Sequence, residues 1–143
     1  MKNKFIYIIF FITCLAFITI AQTTFNEFKK NATNHNNDTI RINALNNLAV
    51  YYSQSNIKLA LVYIDSVLLE IKIAQIHNEK VDVFYIKQKA KAFNTLAHIE
   101  LQKGNVKKAI EYCLQAINVF EKLKDFINMS KLYNTLALNL KSV

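Results

Sequence analysis

The stretch that decides the fold is residues 91–123, which read KAFNTLAHIELQKGNVKKAIEYCLQAINVFEKL. It contains the single glycine of the chain, Gly104, between two runs whose apolar residues recur every three or four positions. Such spacing places each apolar set on one face of a helix. Glycine adopts the left-handed conformation that ends a helix at little cost, and Asn105 is a suitable N-cap for the next helix. We therefore predict two antiparallel helices joined by a short turn.

The rest of the chain carries the same helical pattern. The segment 133–137, YNTLA, closely matches the segment 93–97, FNTLA, so the unit recurs with a long period of about 40 residues. No proline interrupts any of these runs. The predicted units are a first helix pair over 40–76 with helices 40–54 and 57–76, a second pair over 81–123, and an incomplete third repeat over 125–143.

The predicted caps and turns depend on short polar residues. Asp38 or Thr39 is a plausible N-cap for the first of these helices, and Asp125 for the last. The turn between 54 and 57 has no glycine. An asparagine or serine there is therefore expected to adopt the left-handed conformation that Gly104 adopts in the second pair.

The helix pair over 91–123 resembles a tetratricopeptide repeat. That family places a bulky residue, a leucine and a small residue on the first helix, a glycine at the turn, and small residues on the second helix. The resemblance implies an all-α fold from about Ile40 to Val143, in which antiparallel helix pairs stack as a right-handed α-solenoid. Its long period is similar to that of repeats in kinesin light chains and bacterial sensor proteins. The residues that carry the resemblance are Phe93, Leu96, Ala97, Gly104, Ala109 and Ala116.

The N-terminal segment differs from the rest. Two lysines precede an uncharged apolar run over 5–21, which ends in small residues at Thr19 and Ala21. This pattern predicts a signal peptide over 1–21, which makes the protein exported, in the periplasm or another extracytoplasmic space. The alternatives are an uncleaved membrane anchor, since the run is at the lower limit for crossing a bilayer, and a lipid attached at Cys14. Residues 22–38 are predicted to be a polar linker, in which Phe25 and Phe28 anchor at most one or two helical turns.

Composition narrows the possible functions. The formal net charge is +8, but no basic run is interleaved with aromatic residues, so nucleic-acid binding is not expected. His35, His77 and His98 have no second ligand at a metal spacing, and one glycine cannot form a phosphate loop. We expect no enzyme activity, no metal and no cofactor. Cys113 lies in an apolar stripe, which predicts a buried thiol.

An asparagine stands two residues before the Leu-Ala pair of each first helix, and a lysine precedes two of these asparagines by three positions. In the repeat family this position lines an inner concave groove, so the resemblance implies a polar, basic groove for an extended or acidic peptide. The alternative is that these asparagines form hydrogen bonds between helices. The candidate groove residues are Asn46, Lys91, Asn94, His98, Lys131 and Asn134.

These features favour a non-enzymatic, exported module that binds a protein or peptide and touches a membrane only through an uncleaved N-terminal segment. It resembles the extracytoplasmic repeat region of bacterial sensor and regulator proteins. The final helix is not polar enough to cap an array, so we expect either a fragment of a longer array or an exposed apolar face. The competing interpretation is a structural or assembly protein that dimerises through this last helix.

Overall fold

The computed structural model describes residues 2–34, 36–77 and 82–141. Over these ranges it contains six α-helices and no strand, which confirms the all-α class. Val81 and His35 lie outside the described residues. From residue 38 onward, the helices begin and end within two residues of the predicted bounds wherever those bounds are described. The helices are α1 (Lys2–Ala32), α2 (Asp38–Tyr52), α3 (Ile57–His77), α4 (Val83–Gln102), α5 (Val106–Lys122) and α6 (Phe126–Lys141).

Helices that follow one another in the chain pack together, and α4 also contacts both α2 and α6. Short turns join α2 to α3 and α4 to α5, so each of these two pairs is antiparallel. By contrast, α4 runs parallel to α2. The side chains of Phe84 and Ala44 line one cleft, and Gln88 contacts Asn46 further along both helices.

Two apolar clusters hold the helices together, and small residues mark the closest approaches. Ala49, Ala60 and Ala92 are fully buried in the first cluster, which joins α2, α3 and α4. Without a long side chain between them, helices approach closely and bury their neighbouring isoleucines and valines. The second cluster joins α4, α5 and α6, and its buried residues are Ala90, Ala116, Ile117, Phe120 and Leu132.

The turn at Gly104 is the predicted one. Its φ of +77° is left-handed, and its N–H donates to the carbonyl oxygen of Leu101 at 2.9 Å. The N–H of Asn105 donates to the carbonyl oxygen of Glu100 at 2.8 Å, which completes a Schellman motif. The predicted side-chain cap by Asn105 is wrong. Its Nδ2 donates instead to the carboxylate of Glu100 at 2.7 Å, because this buried charge requires strong donors.

The turn of the first pair is built differently from the prediction. Among the described non-glycine residues, only Lys124 has a positive φ, so neither serine nor asparagine takes the left-handed conformation there. The N–H groups of Ser55 and Asn56 both donate to the carbonyl oxygen of Tyr52, which bends the chain without it. The Oδ1 of Asn56 then accepts a bond from the N–H of Leu59 and caps α3.

The other two predicted caps have different outcomes. Asp125 caps α6, because its Oδ1 accepts a bond from the N–H of Asn128 at 3.2 Å. The cap of α2 is neither Asp38 nor Thr39. It is Asn37, whose Oδ1 accepts bonds from the N–H of Ile40 and from the hydroxyl of Thr39. Asp38 instead stands in the first turn of α2.

The predicted linker over 22–38 is wrong for most of its length, because α1 continues to Ala32. The ring of Phe25 lies 4.4 Å from that of Tyr51 and 6.0 Å from that of Tyr52, which docks this part of α1 against α2. The contacts between these rings stabilise a helix that polar composition alone disfavours. Within α1, the residues Ile9–Ala32 are long and apolar enough to cross a membrane.

Candidate peptide-binding face

Five side chains of α4 recur at spacings of three and four residues and therefore lie on one face of the helix. It is called the α4 face below, and its residues are Phe84, Gln88, Lys91, Asn94 and His98. Its first half lies against α2 and its second half against α6.

Asn46 joins α2 to α4. It is only 3% exposed, and its Nδ2 donates to the carbonyl oxygen of Gln88 at 3.1 Å and to its side-chain Oε1 at 2.9 Å. A buried amide needs such partners, because an unpaired one costs free energy. For Asn46, the structure therefore shows the hydrogen bond between helices that was the alternative to a groove position.

His98 joins α4 to α6. Its Nε2 lies 3.1 Å from the hydroxyl oxygen of Thr135, which itself lies 3.1 Å from the carbonyl oxygen of Lys131. Because the hydroxyl has one hydrogen, the direction of the bond between His98 and Thr135 depends on the imidazole tautomer. Burial lowers the pKa of His98 below its ordinary value, which favours the neutral imidazole.

Lys91 lies midway along the α4 face and is half-buried. Burial lowers the pKa of its ammonium, and the nearby charges of Lys87 and Lys131 lower it further, against an opposing effect of Asp125. Three lysines thus share this region with one carboxylate, which leaves a local excess of positive charge. A ligand carboxylate near Lys91 would offset the repulsion between the lysines. It would also offset the free-energy cost of removing water from the ammonium of Lys91.

The one carboxylate in this region is already committed to Lys87. The Nζ of Lys87 lies 2.5 Å from Oδ2 of Asp125. This bond, followed by the bonds from Asn128, lowers the pKa of Asp125 from 3.8 to about 2. Within the described ranges no ion pair involves Lys91 or Lys131, so these two charges are available to a ligand.

Asn94 is half-buried beside Lys91 on the same face. Its Oδ1 is fully buried and accepts no hydrogen bond from the part of the chain that the structure describes. On α6, Lys131 and Asn134 are both exposed. The structure therefore brings Lys91, Asn94, His98 and Lys131 to the α4–α6 side, whereas Asn46 is enclosed between α2 and α4.

Four residues that complete this site were missed by the sequence analysis. Lys87 precedes Lys91 by four positions. This spacing places both on one side of the helix, so the role of Lys87 could have been predicted from the sequence. Gln88, Asp125 and Thr135 act across helices, and their partners depend on how the helices are placed against one another. None of the described residues forms a group of three or more possible metal ligands. The expectation that the protein uses no metal or cofactor stays a prediction.

Comparison with known proteins gives no match: no protein-family model, no curated protein and no solved structure is significantly similar to this chain.

Proposed function

We propose that the protein is a non-enzymatic binding module that recognises an extended, acidic segment of another protein between α4 and α6. The observation that carries the proposal is the pairing of Lys91 with Asn94. Lys91 presents a partly dehydrated ammonium that forms no ion pair with the described residues, and Asn94 presents a half-buried side-chain amide beside it. One stretch of peptide would bond to both the ammonium of Lys91 and the amide of Asn94.

The preference for an acidic ligand follows from the charges. Lys87 is held by Asp125, whereas Lys91 and Lys131 are not paired with any described carboxylate. A hydrogen bond between an ammonium and a carboxylate contributes about 1.5–3 kcal/mol, roughly twice a neutral one. A carboxylate placed between the two lysines would therefore supply much of the binding free energy.

The preference for an extended ligand follows from Asn94. A half-buried side-chain amide can bond to the backbone of a ligand, and a helical segment has already used most of its N–H and C=O groups internally. An extended segment keeps its backbone N–H groups available for such contacts. His98 and Thr135 already bond to each other, so in this proposal they shape the wall of the site.

The scaffold belongs to the same proposal. A tetratricopeptide-like array is expected to contain antiparallel helix pairs with short turns and with alanines at the helix contacts. Its first helices are expected to run parallel to each other, as α2 and α4 do. The stretch Ile9–Ala32 is compatible with a signal peptide or an anchor, and so with an extracytoplasmic sensor module. The sensor role is taken from the resemblance, and a longer reading frame with an output domain would support it.

The test is a binding titration with a labelled acidic peptide and the full chain in neutral lipid nanodiscs. Lys91→Ala and Asn94→Ala should each weaken binding about tenfold, which corresponds to ~1.4 kcal/mol. Lys89→Ala is the matched control on the same helix, since the Nζ of Lys89 lies over the ring of Phe93, outside the α4 face. Equal affinities for the Lys91 and Lys89 variants would refute the proposal.

A second candidate, an assembly role, is favoured by α6. Phe126 and Ile127 are each 71% exposed, and Tyr133 is more than half exposed. Exposed apolar side chains of this size are typical of a surface that another protein covers. Sedimentation of the full chain distinguishes the two functions: a stable dimer that Phe126→Ser dissociates supports assembly, and a monomer that binds peptide supports the first proposal.

A further inference from the structure

The apolar part of α1 continues without a break into the part that docks against α2. Residues 5–21 carry no charge, and every side chain described between 6 and 20 is exposed. A helix that is apolar and exposed on all sides is typical of a segment inside a lipid bilayer. The hydroxyls of Thr13 and Thr19 fit such surroundings, because each donates to a carbonyl oxygen three residues earlier in the helix.

The helix contacts the folded domain on both sides of the predicted cleavage point after Ala21. Ile18 and Ala21 line one cleft together with Phe25 of the same helix and Tyr51 of α2. The rings of Phe25 and Tyr51 lie 4.4 Å apart. One continuous helix therefore joins the apolar segment to α2.

The order of the contacts shows which end of the domain meets the apolar segment. Asn31 and Thr39 line one cleft at the start of α2, whereas Phe25 contacts Tyr51 near its end. The two helices are therefore antiparallel, and the apolar segment leaves the domain where α2 ends. Because α4 runs parallel to α2, the turns that follow α2 and α4 lie at this same end. It is called the proximal edge below and consists of residues 51–58 and 101–108.

The proximal edge is basic. Its two segments contain four lysines and neither aspartate nor glutamate. One of these lysines, Lys103, is bonded to the carboxylate of Glu100. The opposite end of the domain also carries carboxylates, since Asp82 and Asp125 cap α4 and α6 there. An excess of positive charge therefore stands beside the apolar segment. The exposed lysines of this edge that form no ion pair with a described carboxylate are Lys58, Lys107 and Lys108.

We propose that α1 is retained as a membrane anchor and that the proximal edge lies on the anionic phospholipid headgroups of the same bilayer. Tyr51 is 55% exposed where the apolar run ends, and tyrosine is enriched at this level of membrane proteins. Lysines beside an anionic bilayer surface are attracted to it, and salt weakens the attraction. The inference concerns a second surface and does not depend on the peptide site.

The experiment measures how close each end of α4 lies to the lipid headgroups. The full chain with Cys14→Ser is placed in nanodiscs of anionic or neutral phospholipid that contain a headgroup-attached quencher. A fluorescent label is attached through Gln102→Cys at the proximal edge or through Val83→Cys at the opposite end, about 28 Å away along the helix. Both positions are exposed, whereas Cys113 is buried and protected from labelling.

In anionic nanodiscs, quenching at position 102 should be several-fold stronger than at position 83. Neutral lipid or high salt should reduce it. The double variant Lys107→Gln with Lys108→Gln should lower it to the neutral-lipid value. The matched control is Lys72→Gln with Lys122→Gln, which removes the same charge from exposed positions toward the opposite end and should leave quenching unchanged. Glutamine and lysine have similar helix propensities, so both variants should fold.

Three results would overturn the proposal. Equal quenching at positions 83 and 102 in anionic nanodiscs would show that the proximal edge does not face the bilayer. Equal quenching at position 102 in the two double variants would show that Lys107 and Lys108 do not hold it there. An intact mass for the mature protein that begins near Gln22, rather than the mass of the full chain, would remove the anchor itself.

Discussion

Two residues in the left-handed conformation end α4 and α5, and only one of them is glycine. Lys124 has a φ of +53°, and the N–H of the next residue donates to the carbonyl oxygen of Phe120 at 2.9 Å, as in the turn at Gly104. A side chain at Cβ makes this conformation unfavourable by about 1–2 kcal/mol. The turn at Lys124 is therefore formed against the local preference of its residue.

This difference predicts opposite effects for two substitutions. Lys124→Gly should raise the free energy of unfolding by about 0.5–1 kcal/mol, because part of the gain is lost to the greater freedom of glycine in the unfolded chain. Gly104→Ala should lower it by about 1 kcal/mol through backbone conformation alone, since no atom lies within 4 Å of the added Cβ. Urea unfolding of both variants measures this, and equal signs would contradict the assigned turns.

Asp125 gives the protein a predictable response to acid. Its pKa falls from 3.8 to about 2 on folding, through bonds from Lys87 and Asn128. The stability from this group is therefore complete above about pH 4 and is lost as the pH falls toward 2. Asp125→Asn keeps a cap oxygen for α6 but removes the charge. The stability difference between the two proteins should shrink between pH 4 and 2, and a constant difference would contradict the pair with Lys87.

At the scale of helices, α1 provides the sharpest prediction. Phe25 packs on Tyr51 and Tyr52, and the Nζ of Lys29 lies 4.6 Å from its ring centre. Phe25→Ala should cost about 1–2 kcal/mol, because a partly buried ring and its aromatic contacts are lost. Phe11→Ala on the same helix is the control, since Phe11 is exposed. Equal unfolding curves for the two variants would show that residues 22–32 do not dock.

The helices were predictable because apolar residues at three- and four-residue spacing are a local signal. The turn at Gly104 was predictable for the same reason, as one residue type fits its backbone. The helix in residues 22–32 is longer than the one or two turns predicted around Phe25 and Phe28, because polar side chains dominate the composition there and the contacts with α2 are not visible in the sequence. Asn105 failed as a cap because a tertiary charge, Glu100, competes for its amide.

At the scale of the whole molecule, the structure brings some of the predicted site residues together and encloses another between helices. Lys91, Asn94 and Lys131 lie toward the α4–α6 side, as the repeat spacing suggested, whereas Asn46 is enclosed. The difference lies in register: Asn46 meets Gln88 because α2 and α4 run parallel in direct contact. Such pairings cannot be derived from spacing within one helix, and neither can the cleft that α1 completes.

The central claim is that the α4 face and the adjoining part of α6 form the binding surface. It is tested most directly by titrating an extended acidic peptide into the isotope-labelled full chain and following the backbone amide signals by NMR. The account predicts the largest shifts at Lys91, Asn94, His98 and Lys131. Shifts confined to the exposed side of α3 or to α5, or no shifts at a peptide concentration that saturates an acidic site, would contradict it.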